Sequence, residues 1–199
     1  MTTGAARTPG RPRSAEADLA IVRAALEVLV SDGYRGLTME KVRERSGVGK
    51  ATLYRRHGSK EELVRAVVEH LHHDLRIPED SGSLRGDFAE VARTALANAE
   101  ITRFATLMPR LLAEVAHIPE LRVIFYDALV QPRRDTLEAI LLRAIERGEI
   151  RADTDLELAI DVLAGPMIYK LIITGGDLRQ IAGMSDRVLE LAMNGLRPR

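Results

Sequence analysis

The 199-residue chain contains no cysteine, and aromatic residues make up only 4% of it. Without thiols there is no disulfide and no thiolate metal site, and nothing calls for an oxidising compartment. The N-terminus lacks an apolar signal core. The longest uncharged apolar run towards the other end, 162–169, is closed by Asp161 and Lys170 and is far too short to span a bilayer. A soluble, cytoplasmic protein without membrane contact is expected. The motifs that announce an enzyme are also missing: there is no phosphate-cradling glycine loop, no nucleophile elbow and no HExxH pair. Catalysis could come only from residues converging from distant positions, so the chain is read as a non-enzyme with no catalytic residue and no cofactor.

Alanine, leucine and arginine are abundant instead, and no strand-like alternation of useful length appears, which points to an all-α chain. A formal net charge of zero hides an asymmetry. Residues 1–73 carry 13 basic and 9 acidic side chains, residues 74–199 carry 16 and 20, and residues 41–60 alone carry 7 and 1. A neutral molecule with a basic end orients itself on a polyanion.

The basic segment lies within Leu37–Leu63, LTMEKVRERSGVGKATLYRRHGSKEEL. Thr38 is an N-cap candidate, with Glu40 placed to complement the helix dipole. Met39 and Val42 give a short helix one apolar edge, and Gly47 and Gly49 interrupt it with residues that tolerate a left-handed backbone. Lys50–His57 follows, anchored by Leu53. Two short helices across a tight turn, the second rich in phosphate-binding and base-reading side chains, make a helix-turn-helix able to enter a major groove. Side-chain type then suggests roles. Lys50 and Thr52 open the recognition helix towards base edges, and Ala51 permits close approach with its methyl near a thymine methyl. Arg55 and Arg56 diverge by a third of a turn, so only one can face the groove. Lys60 and Thr38 sit at helix starts where free N–H groups help to hold a phosphate.

Residues 21–68 resemble the DNA-binding domain of the tetracycline-repressor (TetR) family. The resemblance is carried by Ala24-Ala25-Leu26, Asp32-Gly33-Tyr34, Leu37-Thr38, Ser46-Gly47-Val48, Thr52-Leu53-Tyr54 and Ser59-Lys60-Glu61-Glu62-Leu63, in the family's order and spacing. His57 departs from it, standing where the family usually has an aromatic residue. The resemblance implies that Tyr54 gives its hydroxyl to a phosphate and that Arg56 is the arginine facing the groove. It also implies dimerisation through the last two helices in a four-helix arrangement, and release from DNA when an effector changes the spacing of the two heads.

Three regions follow. Residues 1–14 lack an apolar period and read as a disordered basic arm. Its Gly10-Arg11-Pro12-Arg13 resembles the minor-groove element of AT-hook peptides, and a solubilising tail is the alternative. Residues 15–75 form the DNA-binding domain: a first helix over 15–31 stopped by Gly33, the helix-turn-helix, and a linking helix from Lys60 to about Leu75 capped by Ser59. Pro, Gly and Ser in 77–83 mark a boundary. Residues 84–199 form an effector-binding and dimerisation domain with helices over 84–100, 102–117, 119–147, 156–174 and 185–196. The segment 155–175 is apolar on nearly every side, so burial from two directions is expected, one of them a second subunit. Spacing alone does not say which of Val162, Leu163, Met167 or Ile168 faces that partner.

Phe104, Met108, His117, Phe125, Tyr126, Met167 and Tyr169 are candidate pocket residues for a mostly apolar ligand. Pro109, Pro132 and Pro166 fall within helical patterns, where each would kink a helix and free the carbonyl of Ala105, Ala128 or Val162. Ordinary packing is the alternative for each. His70 and His73 share a helix face near Glu69 and Asp74, but with no further convergent ligand they read as a solvated face, and no metal is expected. The sequence thus describes a transcriptional regulator: a homodimeric repressor acting on double-stranded operator DNA and released by a small molecule. An activator or effector-independent regulator is the alternative within this class; a helical ligand-binding protein or enzyme with an incidental basic helix is the alternative outside it.

Overall fold

The computed structural model describes residues 12–72, 76–97, 109, 111–174 and 178–196, and all of its regular structure among them is helical. The chain divides into two compact units, Met1–Val67 and Val68–Arg199.

In the first unit, α1 (Pro12–Gly36) begins earlier than expected and is interrupted at Gly33, whose φ of 72° and ψ of −179° only glycine adopts without strain. The break lets Tyr34 and Leu37 turn inward, leaving them 6% and 1% exposed. Ile21, Ala25, Leu26, Val28 and Leu29 supply the buried stripe of α1, which packs against α2 (Met39–Ser46). After α3 (Lys50–Arg56), α4 runs over Lys60–His72. The Glu62 amide donates to Ser59 Oγ at 3.2 Å, the expected cap. Leu63, Val64, Val67, Val68 and Leu71 form the buried face of α4, and the division between the units falls within this helix.

The second unit contains α5 (Leu84–Ala97), a helical segment at 111–115, α6 (Pro119–Phe125), a π-helical turn (Tyr126–Val130), α7 (Gln131–Glu146), α8 (Leu156–Ile172) and α9 (Leu178–Leu196). The single helix expected over 119–147 is therefore interrupted. Pro132 has no N–H to offer and stands in the first turn of α7, while the Gln131 amide reaches back to Tyr126 O, the π spacing. Pro166 does lie inside α8, whose start is capped by Asp155 accepting from the Leu158 amide at 3.0 Å. Helix α9 starts seven residues earlier than expected, taking in Gly183. Half of the helix expected over 102–117 lies outside the described residues.

The core of this unit joins Leu84 and Phe88 of α5, Leu137, Ile140, Leu141 and Ala144 of α7, Ala159, Ile160 and Leu163 of α8, and Val188 and Leu189 of α9. Arg147 is the hub of an ionic network at its edge. It pairs with Asp80 at 2.7 Å, Glu149 at 2.6 Å and the fully buried Asp87 at 3.3 Å. Arg143 joins Asp87 at 3.4 Å and donates to Pro78 O at 3.0 Å. Asp87 also accepts from the Ser81 amide at 2.8 Å and its hydroxyl at 2.7 Å, and Glu149 accepts from the Leu84 amide. Loop 78–83, which sequence showed only as a boundary, is thereby tied to the start of α5 and the end of α7. Burial works to raise the Asp87 pKa, but the Ser81 hydrogen bonds and the two arginines outweigh it and hold the carboxyl below its ordinary value of 3.8.

A depressed folded-state pKa contributes stability that is fully present above the unfolded value and is lost as pH falls through the folded one. Acid unfolding monitored by circular dichroism should therefore have an Asp87 component below about pH 4 that Asp87→Asn removes. At neutral pH the same substitution should cost about 2 kcal/mol, because the partly exposed arginines keep some hydration.

Candidate nucleic-acid interface

The turn between α2 and α3 is set by one glycine. Gly47 has φ 66° and ψ 9° and sends its N–H to Arg43 O at 3.1 Å, closing α2 in the left-handed conformation. Gly49, expected to share that role, is extended (φ −62°, ψ 144°) and is the N-cap of α3. Its carbonyl accepts from the Thr52 and Leu53 amides at 2.9 and 3.0 Å, while the Val48 amide donates to Ser46 Oγ at 3.3 Å. Leu53 is fully buried.

The side chains of α3 divide by direction. Lys50, Ala51, Tyr54 and Arg55 are exposed, and Thr52 is half-buried. Lys50 Nζ lies 5.9 Å from the Tyr54 ring centre, one turn on, so both polar tips stand on the same outer face. Arg56 goes the other way. Its guanidinium pairs with Asp18 of α1, and the side chain is only 20% exposed. In the chain by itself Arg55 is thus the outward arginine, and Arg56, which the resemblance turns to the groove, is paired with α1. Adjacent helix positions diverge by about 100°, and α1 claims the inner one. The partner, Asp18, had no signal in the sequence beyond being an acid on α1. His57 is half-buried where the family carries an aromatic residue, and its N–H closes α3 on Leu53 O at 2.8 Å.

Thr38 is exposed, and its Oγ1 accepts from the Lys41 amide at 3.3 Å. In the first turn of α2, Glu40 accepts two bonds from Arg43, at 2.9 and 2.5 Å, which hold its carboxyl below the ordinary value. Lys41 is drawn back to Asp32 at 2.6 Å. The start of α4 is less open than expected. The Gly58 amide donates to Glu62 Oε2 at 2.5 Å, and the Ser59 hydroxyl takes the Glu62 amide. Lys60 lies with Nζ 3.9 Å from the centre of the Tyr34 ring, whose hydroxyl donates to Glu61 Oε1 at 3.0 Å. Any phosphate contact there depends on the ammonium more than on free backbone N–H groups.

The body residues nominated for a pocket that lie among the described residues differ in burial. Phe125 is buried and Met167 packs on the core, whereas Tyr126 and Tyr169 are 49% and 57% exposed and His117 is exposed. Tyr126 follows Phe125 directly and Tyr169 stands two places beyond Met167, so helical rotation turns them to other faces. Phe104 and Met108 lie outside the described residues, as does His73, and His70 is half-buried on α4.

A helix-turn-helix of this geometry, exposing basic and hydroxyl side chains on an all-helical chain, is what two family models match. "Bacterial regulatory proteins, tetR family" covers residues 21–67, and "Tetracyclin repressor-like, C-terminal domain" covers 78–187. The chain belongs to the TetR family. It is 30% identical to the HTH-type transcriptional regulator YdeS of Bacillus subtilis over 188 residues, 94% of this chain and 92% of that one. It is 31% identical to the DNA-binding transcriptional repressor TetR of Mycobacteroides abscessus over 169 residues, 83% of this chain and 85% of the relative. Among solved structures, a TetR-family regulator from Rhodococcus sp. superposes with a TM-score of 0.74 at 16% identity, covering 90% of this chain and 99% of that one. FadR from Bacillus subtilis, solved in complex with stearoyl-CoA, gives 0.68 at 23% identity, covering 90% and 99%. TetR-family members are transcriptional regulators and not enzymes. No helix among the described residues is long and apolar enough to cross a membrane.

The two arginines should separate cleanly. Arg55→Ala should weaken binding to DNA of any sequence and reduce the slope of log affinity against log salt by about one. Arg56→Ala and Asp18→Ala should each lower the melting temperature of the protein, and the double variant should be no worse than the more damaging single one. The coupling expected for this partly exposed pair is about 0.5–1 kcal/mol.

Proposed function

We propose that the chain is a one-component, cytoplasmic repressor made of a basic arm, a DNA-binding head and an effector-binding body. As a homodimer it holds double-stranded operator DNA through α3 of each copy and lets go when a small, mostly apolar molecule binds the body. The observation that carries the DNA half of this reading is the common exposure of Lys50, Ala51, Tyr54 and Arg55 on a helix seated by Leu53 and Arg56. Lys50 and Arg55 meet phosphates or base edges, Thr52 and Ala51 meet base edges, and Tyr54, Thr38 and Lys60 meet phosphates.

Helix α8 supports the dimer. Ala159, Ile160, Leu163 and Met167 turn to the core of their own subunit. Leu158, Val162, Tyr169 and Ile173 fall on the opposite stripe and are 46–68% exposed, with Ile168 beside them at 52%. On α9, Leu191 is 74% exposed. A stripe of this length is costly to leave in water, and a two-fold axis covers it with itself. Of the four residues that spacing could not sort, Val162 lies on this stripe and is placed against the partner. The ligand half rests on the family and on FadR, a structural neighbour that holds stearoyl-CoA. Coupling of about 1–3 kcal/mol between ligand and operator suffices for regulation.

Retardation of DNA from the protein's own promoter region tests the reading directly, with specific binding expected and equal affinity for unrelated DNA contradicting it. Sedimentation at micromolar concentration should show a dimer. Val162→Glu should give monomers with operator affinity reduced at least about a hundredfold, because two half-sites about one helical turn apart are no longer engaged together. A wild-type monomer would overturn the architecture.

A further inference from the structure

The charged side chains of α2 divide between two edges. Lys41 reaches back to Asp32 at 2.6 Å and to Gly36 O at 3.1 Å, and Arg45, one turn on, donates to Ser31 Oγ at 3.3 Å. That edge leans on the end of α1, while Val42 is buried. Glu40, Arg43 and Glu44, three and four residues apart, hold the other edge. It is the edge towards the recognition helix, since the Lys50 charge acts on the Glu40 carboxylate. Lys50 itself stands with Tyr54 on the outer face of α3.

Glu40 thus places an acid on the side of the head that offers its cations to DNA. Its side chain is 59% exposed. The Arg43 hydrogen bonds, and after them the charges of Arg43 and Lys50, keep it ionised at neutral pH. The pair is not needed for folding, because exposed ion pairs of this kind contribute little to stability. Glu90 and Arg93 of α5 make a similar pair, and the comparison is informative. There the two Arg93 donors take one carboxylate oxygen each, at 2.8 and 2.5 Å. On α2 both Arg43 donors fall on Oε1, at 2.9 and 2.5 Å, and Oε2 accepts from no described residue.

We infer that Glu40 is a specificity-determining residue of the DNA interface, its Oε2 accepting from the exocyclic amino group of a cytosine in the major groove. This rests on the DNA reading above and adds a base contact from α2 to those of α3. An ionised carboxylate has no donor, so phosphates, guanine O6 and N7 and thymine O4 all repel it, whereas cytosine N4 satisfies it. Adenine sets its amino group beside the N7 acceptor, a pattern that an amide matches and a carboxylate does not. Arg43 fixes the carboxylate in advance and cancels its charge, so the pair meets the polyanion without net repulsion. At a site lacking the cytosine, Oε2 loses its water and gains no donor, and that cost rejects the wrong base.

The test is selection of DNA from a random-sequence pool by the intact protein, followed by affinity measurements on the selected duplex and on unrelated DNA. The wild type should enrich cytosine at a half-site position where Glu40→Gln and Glu40→Ala do not, with the other positions unchanged. Replacing that cytosine pair should weaken wild-type binding roughly tenfold and Glu40→Ala binding by less than about a factor of two. Glu40→Asp keeps the charge at the start of α2 but draws the carboxylate back, and should lose the preference as well. Glu90→Gln, which removes the same charge from the body, should behave as the wild type. Identical base preferences in the wild type and every Glu40 variant would overturn the inference and leave the DNA reading standing. So would a Glu40→Ala protein that binds all sequences more tightly with its preferences intact, since Glu40 is then a counterion of Arg43 and nothing more. Enrichment of no sequence by the wild type would overturn both.

Discussion

A seven-residue helix has no stability of its own in water, because so few hydrogen bonds cannot repay the cost of nucleation. Everything that α3 presents to DNA therefore depends on how it is seated. Leu53 is its one buried residue, Gly47 fixes the angle of entry, the Gly49 carbonyl closes its first turn, and Arg56 ties it to Asp18 on α1. Three of these four anchors come from outside the helix or at its edge. A sequence that appears to spend two arginines on recognition uses one of them to hold the platform for the other.

The body solves a related problem with charge. Loop 78–83 connects α4 to α5 with little apolar material, and its backbone groups at Pro78 and Ser81, with the Leu84 amide that follows, find their partners on α5, on α7 and just beyond it. Asp87 and Glu149 accept from them, and Arg143 and Arg147 neutralise those acids while reaching Pro78 O and Asp80. Breaking any one member leaves a desolvated group behind, which makes the network more sensitive to substitution than to dilution in salt.

What could be read from the chain follows from what is local. The Thr38 cap, the Ser59 cap, the burial of Val42 and Leu53 and the apolar face of α4 all depend on contacts within a turn or two. Motif and period report those directly. The direction of Arg56 was not legible in this way, because it is decided by Asp18, which lies 38 positions away in sequence on another helix. The described pocket candidates differ in burial for a different reason. They were chosen by type, Met and aromatic, without asking on which face of the helix each falls.

The π-helical turn at Tyr126–Val130 has a consequence for register. Counted at roughly 100° per residue, the buried positions before it, Leu121, Ile124 and Phe125, lie roughly 140° out of phase with Leu137, Ile140 and Ala144 after it. A continuous α-helix would carry one of these sets round towards solvent. The wide turn absorbs one surplus residue, as if a single amino acid had been slipped into a finished helix, and rotates the face that follows back towards the one that precedes it. Phase, not flexibility, is what this turn supplies.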